Sequence, residues 1–263
     1  MEVSKDNYTF YDENKTIEVS VCSILGDREE QQDSAAVELK YDDGIIAVCD
    51  GMGGHSGGKL ASSITANTLI ETYNKNYPVT NAPDMFINAV DILDERVHSL
   101  KNENGEYMAA GTTLTSVVIQ GKKICWISVG DSRIYMIRGN EIVQVTTDHN
   151  YGYRLDEQLA NKTITMQEYT QQISKSKMLI SYIGIGGVEL MDINSEPLQL
   201  LSEDRVLLAT DGLFKVLSSD TILKLITNFT NIKDAAASLA KKAKKSAEKG
   251  CLDNTTLALI KIK

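Results

Sequence analysis

Ile45-Ile46-Ala47-Val48-Cys49-Asp50-Gly51-Met52-Gly53-Gly54-His55 decides how this chain is read: an unbroken apolar run, a carboxylate, then a glycine-rich turn carrying one of the 3 histidines. Its core recurs as Val206-Leu207-Leu208-Ala209-Thr210-Asp211-Gly212-Leu213. Each copy reads as a buried strand that delivers an aspartate at its C-terminal end with glycine directly after it. An isolated Asp-Gly is ordinarily a hairpin turn flanked by period-2 alternation. Neither copy continues that way. After Gly58 the sequence turns helical, with Leu60, Ile64 and Leu69 on roughly one face. The aspartates are therefore read as ending strands without turning hairpins, a placement that suits a site.

Working outward, Ile17, Val19 and Val21 alternate with polar residues, and strands over 35–39 and 45–49 are joined by an Asp42-Asp43-Gly44 hairpin. Helices are expected over 59–76 and then from Pro83-Asp84, with Asp84 as N-cap, through Phe86, Val90, Leu93 and Val97 to a stop at Asn104-Gly105. Short neighbouring strands at 112–119, 124–129, 134–137 and 142–145 form an antiparallel meander. Residues from about 150 to 188 break the pattern. They are polar and glutamine-rich, with a helix expected around 165–174 and glycine hinges in Gly184-Ile185-Gly186-Gly187, and read as a flap inserted into one domain spanning 1–263. Strands at 198–201 and 206–210, helices at 220–228 and 232–249, and a strand at 255–262 complete the chain. Such blocks predict α+β layering, antiparallel sheets covered by helices, and not a doubly wound sheet.

Bulk properties narrow the function. A hydrophobic content of 42% with 24% charged residues is ordinary for a soluble globular protein of 263 residues. The formal charge of -9 argues against nucleic acid or an anionic membrane as the main partner, because nothing would neutralise phosphates over a wide face. Lys241, Lys242, Lys244 and Lys245 read as a solvated helix face. Cys22, Cys49, Cys125 and Cys251 are widely spaced and form no C-x-x-C, so they read as reduced residues of a cytoplasmic protein. No apolar segment marks a signal peptide at Met1 or a membrane span anywhere.

Three further aspartates sit at strand ends or turns: Asp33 after Arg28-Glu29-Glu30-Gln31-Gln32, Asp131 in Val129-Gly130-Asp131-Ser132-Arg133, and Asp253 in Cys251-Leu252-Asp253-Asn254-Thr255. Singly, each is a turn former or a cap. Together with Asp50 and Asp211 they all abut apolar strand runs, where an unpaired carboxylate is costly to desolvate. Most have no Lys or His beside them, so the compensating cation would be a metal. An all-oxygen site favours Mg²⁺ or Mn²⁺ over zinc, and two such ions can acidify a bridging water for attack on phosphorus.

These segments, with Ala110-Gly111-Thr112-Thr113 and Thr147-Asp148-His149-Asn150, resemble in order and spacing the metal-dependent protein phosphatases, type 2C, in their bacterial form, over about residues 16–262. The resemblance implies a four-layer α-β-β-α sandwich of two antiparallel sheets flanked by helix pairs. It implies hydrolysis of phosphoserine and phosphothreonine on proteins by a metal-bound hydroxide, without a phosphoenzyme. Carried over by position, Asp50 would bridge two metals and Gly51 would offer its carbonyl to one. Asp211 and Asp253 would complete the first site, Asp33 would act through waters, and Asp131 with Asp211 would form a third, looser site. Arg28 would grip the substrate phosphate with its planar fork, and His55 would protonate the departing oxygen. His149 and His98 carry no such role. Phosphorylated proteins and an opposing Ser/Thr kinase are the implied partners of a monomer. Gln32 stands where many members have a carboxylate, and the flap resembles the family only in position and in its ending, 177–184.

Two rivals share parts of the sequence. Cys22-Ser23-Ile24-Leu25-Gly26-Asp27-Arg28 has the C-x5-R spacing of thiol-dependent phosphatases, whose loop cradles phosphate and leads into a helix. That reading leaves the five aspartates unexplained. A catalytically inactive, phosphoprotein-binding scaffold would be expected to lack Asp50, Asp211 or Asp253, and all three are present.

Overall fold

The structure, a computed structural model, describes residues 2–3, 7–54 and 56–263. The chain opens with β1 (Glu2–Val3), β2 (Asn7–Glu13), β3 (Ile17–Ile24), β4 (Asp33–Lys40) and β5 (Asp43–Gly53), followed by helices α1 (Gly57–Asn76) and α2 (Ala82–His98). A meander comes next: β6 (Ala110–Thr112), β7 (Leu114–Gln120), β8 (Lys123–Val129), β9 (Arg133–Arg138) and β10 (Glu141–Gln144). Helices α3 (Tyr151–Ala160) and α4 (Met166–Gln172) lead to the short strands β11 (Asp192–Ile193) and β12 (Leu198–Gln199). Then come β13 (Arg205–Ala209), α5 (Asp211–Phe214), α6 (Ser219–Thr227), α7 (Ile232–Ser246) and β14 (Thr255–Ile262).

Two antiparallel sheets result. One runs β1-β4-β5-β7-β8-β11, with β6 on β5 and β12 on β8; the other runs β10-β9-β13-β14-β3-β2. Side-chain alternation along β5 explains the layering. Ile45, Ala47 and Cys49 pack under α1 and α2 with Leu69, Phe86 and Leu93. Ile46 and Val48 point the other way, onto Val19, Leu208, Ala258 and Ile260 of the second sheet. The far face of that sheet, Leu207, Ala209, Leu257 and Leu259, is covered by α6 and α7 through Ile226, Ile232 and Leu239. Each central strand is buried on both faces, which is why it reads as a continuous apolar run and not as apolar-polar alternation. The architecture is the expected four-layer α-β-β-α sandwich.

Several local expectations are corrected. Leu60 is 40% exposed, and α1 instead buries Gly58, Ala61, Ser62 and Thr65 near its start. The helix runs so close to β5 that only small residues fit between them: a Cβ on Gly51 would lie 2.1 Å from the Gly58 carbonyl oxygen. The N-cap of α2 is Asn81, whose side chain accepts from the Asp84 N–H at 3.2 Å. Asp50 does not end its strand, because β5 continues through Gly51–Gly53 paired to β6. Strand β2 and helix α3 were not among the expected elements. The 165–174 helix is present, with a Thr165–Glu168 capping box. Cys22, Cys49 and Cys125 are buried thiols and Cys251 is exposed, with no disulfide among the described residues. No helix among the described residues is long and apolar enough to cross a membrane.

Candidate active site

Four of the five aspartates open onto a single cleft of about 1020 Å³, and the fifth lies directly behind it. Asp33, the first residue of β4, is 1% exposed and stands opposite Asp50 in the β4–β5 register. Its Oδ2 accepts from the Thr210 hydroxyl at 2.9 Å, while its Oδ1 is buried without a partner among the described residues. Asp50 is fixed through its main chain: its N–H donates to Thr113 Oγ1, and its carbonyl accepts from Thr112 Oγ1 and from the Thr113 N–H, each at 2.9 Å. Thr113 Oγ1 also lies 2.7 Å from Ser132 Oγ, tying the Asp131 loop to β5. The Gly111-Thr112-Thr113 and Asp131-Ser132 motifs thus act together as a clamp on Asp50.

Asp211 begins α5, beyond Thr210, whose N–H and hydroxyl bond to Thr256. A Cβ on Gly212 would fall 2.2 Å from the Asn254 carbonyl, so glycine permits α5 to meet the Asp253 loop. Asn254 in turn staples that loop to the Arg28 segment, accepting from the Gln32 N–H at 2.9 Å and donating to the Leu25 carbonyl at 2.8 Å. Arg28 is exposed at the cleft mouth with its Nη2 on the Asp253 carboxylate at 2.9 Å. Gly51 lines the cleft beside Asp50. Gln32, the departure noted in the sequence, turns its amide to the Gly53 carbonyl at 3.3 Å. His55 lies outside the described residues.

Burial, reinforced by crowded negative charge, dominates the electrostatics. Burial, followed by the charges of Asp33, Asp211, Asp131 and Asp253, lifts Asp50 well above the ordinary carboxylate range. Burial also raises Asp33, against the Thr210 and Thr256 hydrogen bonds and with the charges of Asp211 and Asp253. Asp131 is pushed up to about 6 by burial and then by Asp211 and Asp148. Burial raises Asp211 as well, although the neighbouring Lys215 opposes it. The side chain of Asp211 carries a second orphaned oxygen, Oδ1. A divalent cation fits this donor set: the groups are all oxygen, they repel one another, and two buried oxygens lack partners among the described residues.

Among the described residues, no three Asp, Glu, His or Cys side chains form a ready-made ion cage. Lys215, absent from the sequence expectations, occupies the gap instead. Its Nζ pairs with Asp211 and lies 3.5 Å from Asp253 Oδ2. Burial alone would lower this lysine, but the charge of Asp211, its hydrogen bond, and then Asp253 and Asp50 hold it above its ordinary value. The i, i+4 spacing from Asp211 could have flagged it, had the short α5 been read as helix.

A second unanticipated residue is Asp94 of α2, 7% exposed. Its carboxylate accepts from the N–H groups of Gly184 (2.6 Å), Gly186 (3.3 Å) and Gly187 (2.6 Å). The glycine segment read as a hinge is therefore fastened to α2. It holds Tyr182, Gly184 and Ile185 as part of the cleft wall opposite the aspartates. His98 adds a contact to the Gly184 carbonyl at 3.1 Å. His149 is structural: buried, it accepts from the Gly130 N–H at 3.1 Å and faces Asp192 at 3.5 Å.

The thiol rival finds no support in this geometry. Cys22 lies inside β3, faces the α7 layer, and has a thiol that burial pushes up to about 11. No helix follows Arg28 to form an anion cradle; β4 does.

Known proteins similar to this chain in sequence and fold are protein phosphatases. Protein phosphatase PhpP of Streptococcus pneumoniae is 30% identical over 224 residues, 82% of this chain and 85% of PhpP. The serine/threonine phosphatase of S. agalactiae superposes with a TM-score of 0.80 at 25% identity, over 94% of this chain and 100% of the other. The catalytic domain of the serine/threonine phosphatase PstP, solved with 2 manganese ions, shares the fold with a TM-score of 0.72 at 24% identity, over 94% of this chain and 98% of that domain. The sequence model for Protein phosphatase 2C matches residues 24–246, and this chain belongs to that family.

Proposed function

We propose that this chain is one catalytic domain, with residues 150–188 as its flap, that hydrolyses phosphoserine and phosphothreonine on proteins using Mg²⁺ or Mn²⁺. The single observation that carries this reading is the convergence of Asp50, Asp131, Asp211 and Asp253 on one cleft with Asp33 behind Asp50, and with Asp33 Oδ1 and Asp211 Oδ1 buried and unpartnered among the described residues. Relatives named serine/threonine phosphatases, one solved with manganese, support the substrate class and the metal.

In this reading Asp50, Asp211 and Asp253 would hold two ions, with the Gly51 carbonyl as a further ligand. Asp33 would steady their waters from behind, and Asp131 with Asp211 would offer a third, looser position. Bound ions would supply positive charge toward the phosphoryl oxygens and a water acidified enough to attack phosphorus. The chain's own residues do the rest. The Arg28 guanidinium, at the cleft mouth, would turn from Asp253 to the substrate phosphate, which its fork matches with two parallel hydrogen bonds. His55 is assigned the proton for the departing serine or threonine oxygen, a poor leaving group that needs one. The Tyr182–Ile185 wall, fastened by Asp94, would flank the peptide. Phosphorylated proteins, and a Ser/Thr kinase that supplies them, follow as partners.

The test is phosphate release from phosphoserine, phosphothreonine and phosphotyrosine peptides with Mn²⁺, with Mg²⁺, and with EDTA. Turnover of the first two that depends on the ion is expected. Activity persisting in EDTA, or faster release from phosphotyrosine, would sink the proposal.

A further inference from the structure

Lys215 directly follows α5 and donates its main-chain N–H to the Asp211 carbonyl at 2.9 Å. This geometry turns its side chain back over the first residue of the same helix. The ammonium pairs with Asp211 and reaches Asp253 Oδ2 at 3.5 Å, and the charges of Asp50 and Asp131 also act on it. It therefore sits among four of the five aspartates. Of the other nearby cations, Arg133 makes a two-pronged pair with Asp148 under the Phe214 ring, and Arg28 meets Asp253 from the exposed cleft mouth without pairing with Asp211. With its side chain 44% exposed, Lys215 has open space into which it can withdraw.

We propose that Lys215 is a tethered counter-ion that competes with a divalent cation for Asp211 and Asp253. The inference rests on the metal-dependent reading above. An ammonium seated on the Asp211 and Asp253 oxygens takes up the lone pairs a divalent ion would use there, and its charge repels that ion in a partly desolvated site. Loading an ion thus requires Lys215 to leave. While the ion is absent, the ammonium neutralises part of the acidic cluster and keeps α5 and the 253 loop together. The physical consequence is a chain that tolerates metal depletion and needs a higher ion concentration to become loaded.

The experiment is isothermal titration of Mn²⁺ into EDTA-stripped, dialysed full chain, paired with thermal unfolding in EDTA. Wild type is compared with Lys215→Met, which keeps the stem and removes the charge, and with Lys215→Arg, which keeps the charge. The expected result is that Lys215→Met binds Mn²⁺ about tenfold more tightly, the equivalent of ~1.4 kcal/mol, and unfolds at a lower temperature in EDTA. Lys215→Arg should stay close to wild type in both. If Lys215→Met does not fold in EDTA but folds with Mn²⁺, the expected effect has simply reached its limit; if it folds in neither, Lys215→Gln is read the same way. Mn²⁺ affinity that is unchanged or weaker in the neutral variants overturns the role of Lys215 and leaves the metal site standing. Absence of Mn²⁺ binding in every protein overturns the metal reading and this inference with it.

Discussion

Asp33 and Asp50 face each other as register partners across β4 and β5, one buried at 1% exposure and the other at the base of the cleft. Like charges directly opposite on a sheet are destabilising. The next four pairs along the same two strands, from Ser34–Cys49 to Val37–Ile46, join apolar or hydroxyl side chains, so at this pair stability yields to function.

The first consequence is a pH dependence of the ion-free protein. Burial and mutual repulsion raise Asp131 to about 6 and raise Asp33 and Asp50 as well. The folded chain therefore holds protons that the unfolded chain, with aspartates near ~3.9, has released. Stability from this source is complete below the unfolded value and is lost as pH rises through the raised folded values. Thermal unfolding in EDTA should show a melting temperature that falls between about pH 5 and pH 7. Saturating Mn²⁺ should abolish or invert that slope, because ions bind the deprotonated carboxylates. A flat profile in EDTA would contradict this crowding of buried carboxylates.

Asp50→Asn removes one repelling charge without changing shape. Ion-free protein should gain stability, with a melting temperature higher by about 2–4 °C. Ion-supported phosphate release should fall by about 100-fold or more. Both can be read from one preparation, by calorimetry in EDTA and by a phosphate assay in Mn²⁺. Retained turnover would remove Asp50 from the machinery.

Asp94→Ala would strand three N–H groups in the 184–187 segment, a loss of about 2–4 kcal/mol. Urea denaturation measures that directly. Because the freed segment forms the cleft wall and touches none of the aspartates, KM for a phosphopeptide should rise more than kcat falls. An equal fall in kcat with KM unchanged would argue that Asp94 acts by another route.

Gly51→Ala and Gly54→Ala make a matched pair. A Cβ on Gly51 would lie 2.1 Å from the Gly58 carbonyl oxygen and 2.5 Å from that of Gln32, so α1 or β4 would have to move. A Cβ on Gly54 meets nothing within 4 Å among the described residues. Soluble, folded Gly54→Ala beside poorly expressed or inactive Gly51→Ala is the expected outcome, checked by circular dichroism and the same phosphate assay.

Arg28→Lys keeps the charge but loses the planar fork. A drop of about tenfold in kcat/KM toward phosphopeptides is expected, carried mainly by KM. The melting temperature should barely change, since the side chain is 59% exposed.

The residue pattern carried much of this protein on its own. The apolar runs at 45–49 and 206–210 predict central strands, and five aspartates abutting such runs lead to the expectation of a cation site. Those features are local: a strand buried on both faces must be apolar throughout, and a carboxylate beside it needs compensation wherever the chain goes. The inward face of α1 was not local. Leu60 is the more hydrophobic choice, but the helix approaches β5 so closely at Gly51 and Gly58 that small residues face inward. Asp94 gives no signal in sequence because its partners at 184–187 are distant along the chain, and the i, i+4 spacing of Lys215 from Asp211 is masked because α5 has only 4 residues and Asp253 is far away in sequence. Periodicity records which residues prefer to be buried; only packing decides how near two backbones come and which charges then have to share one space.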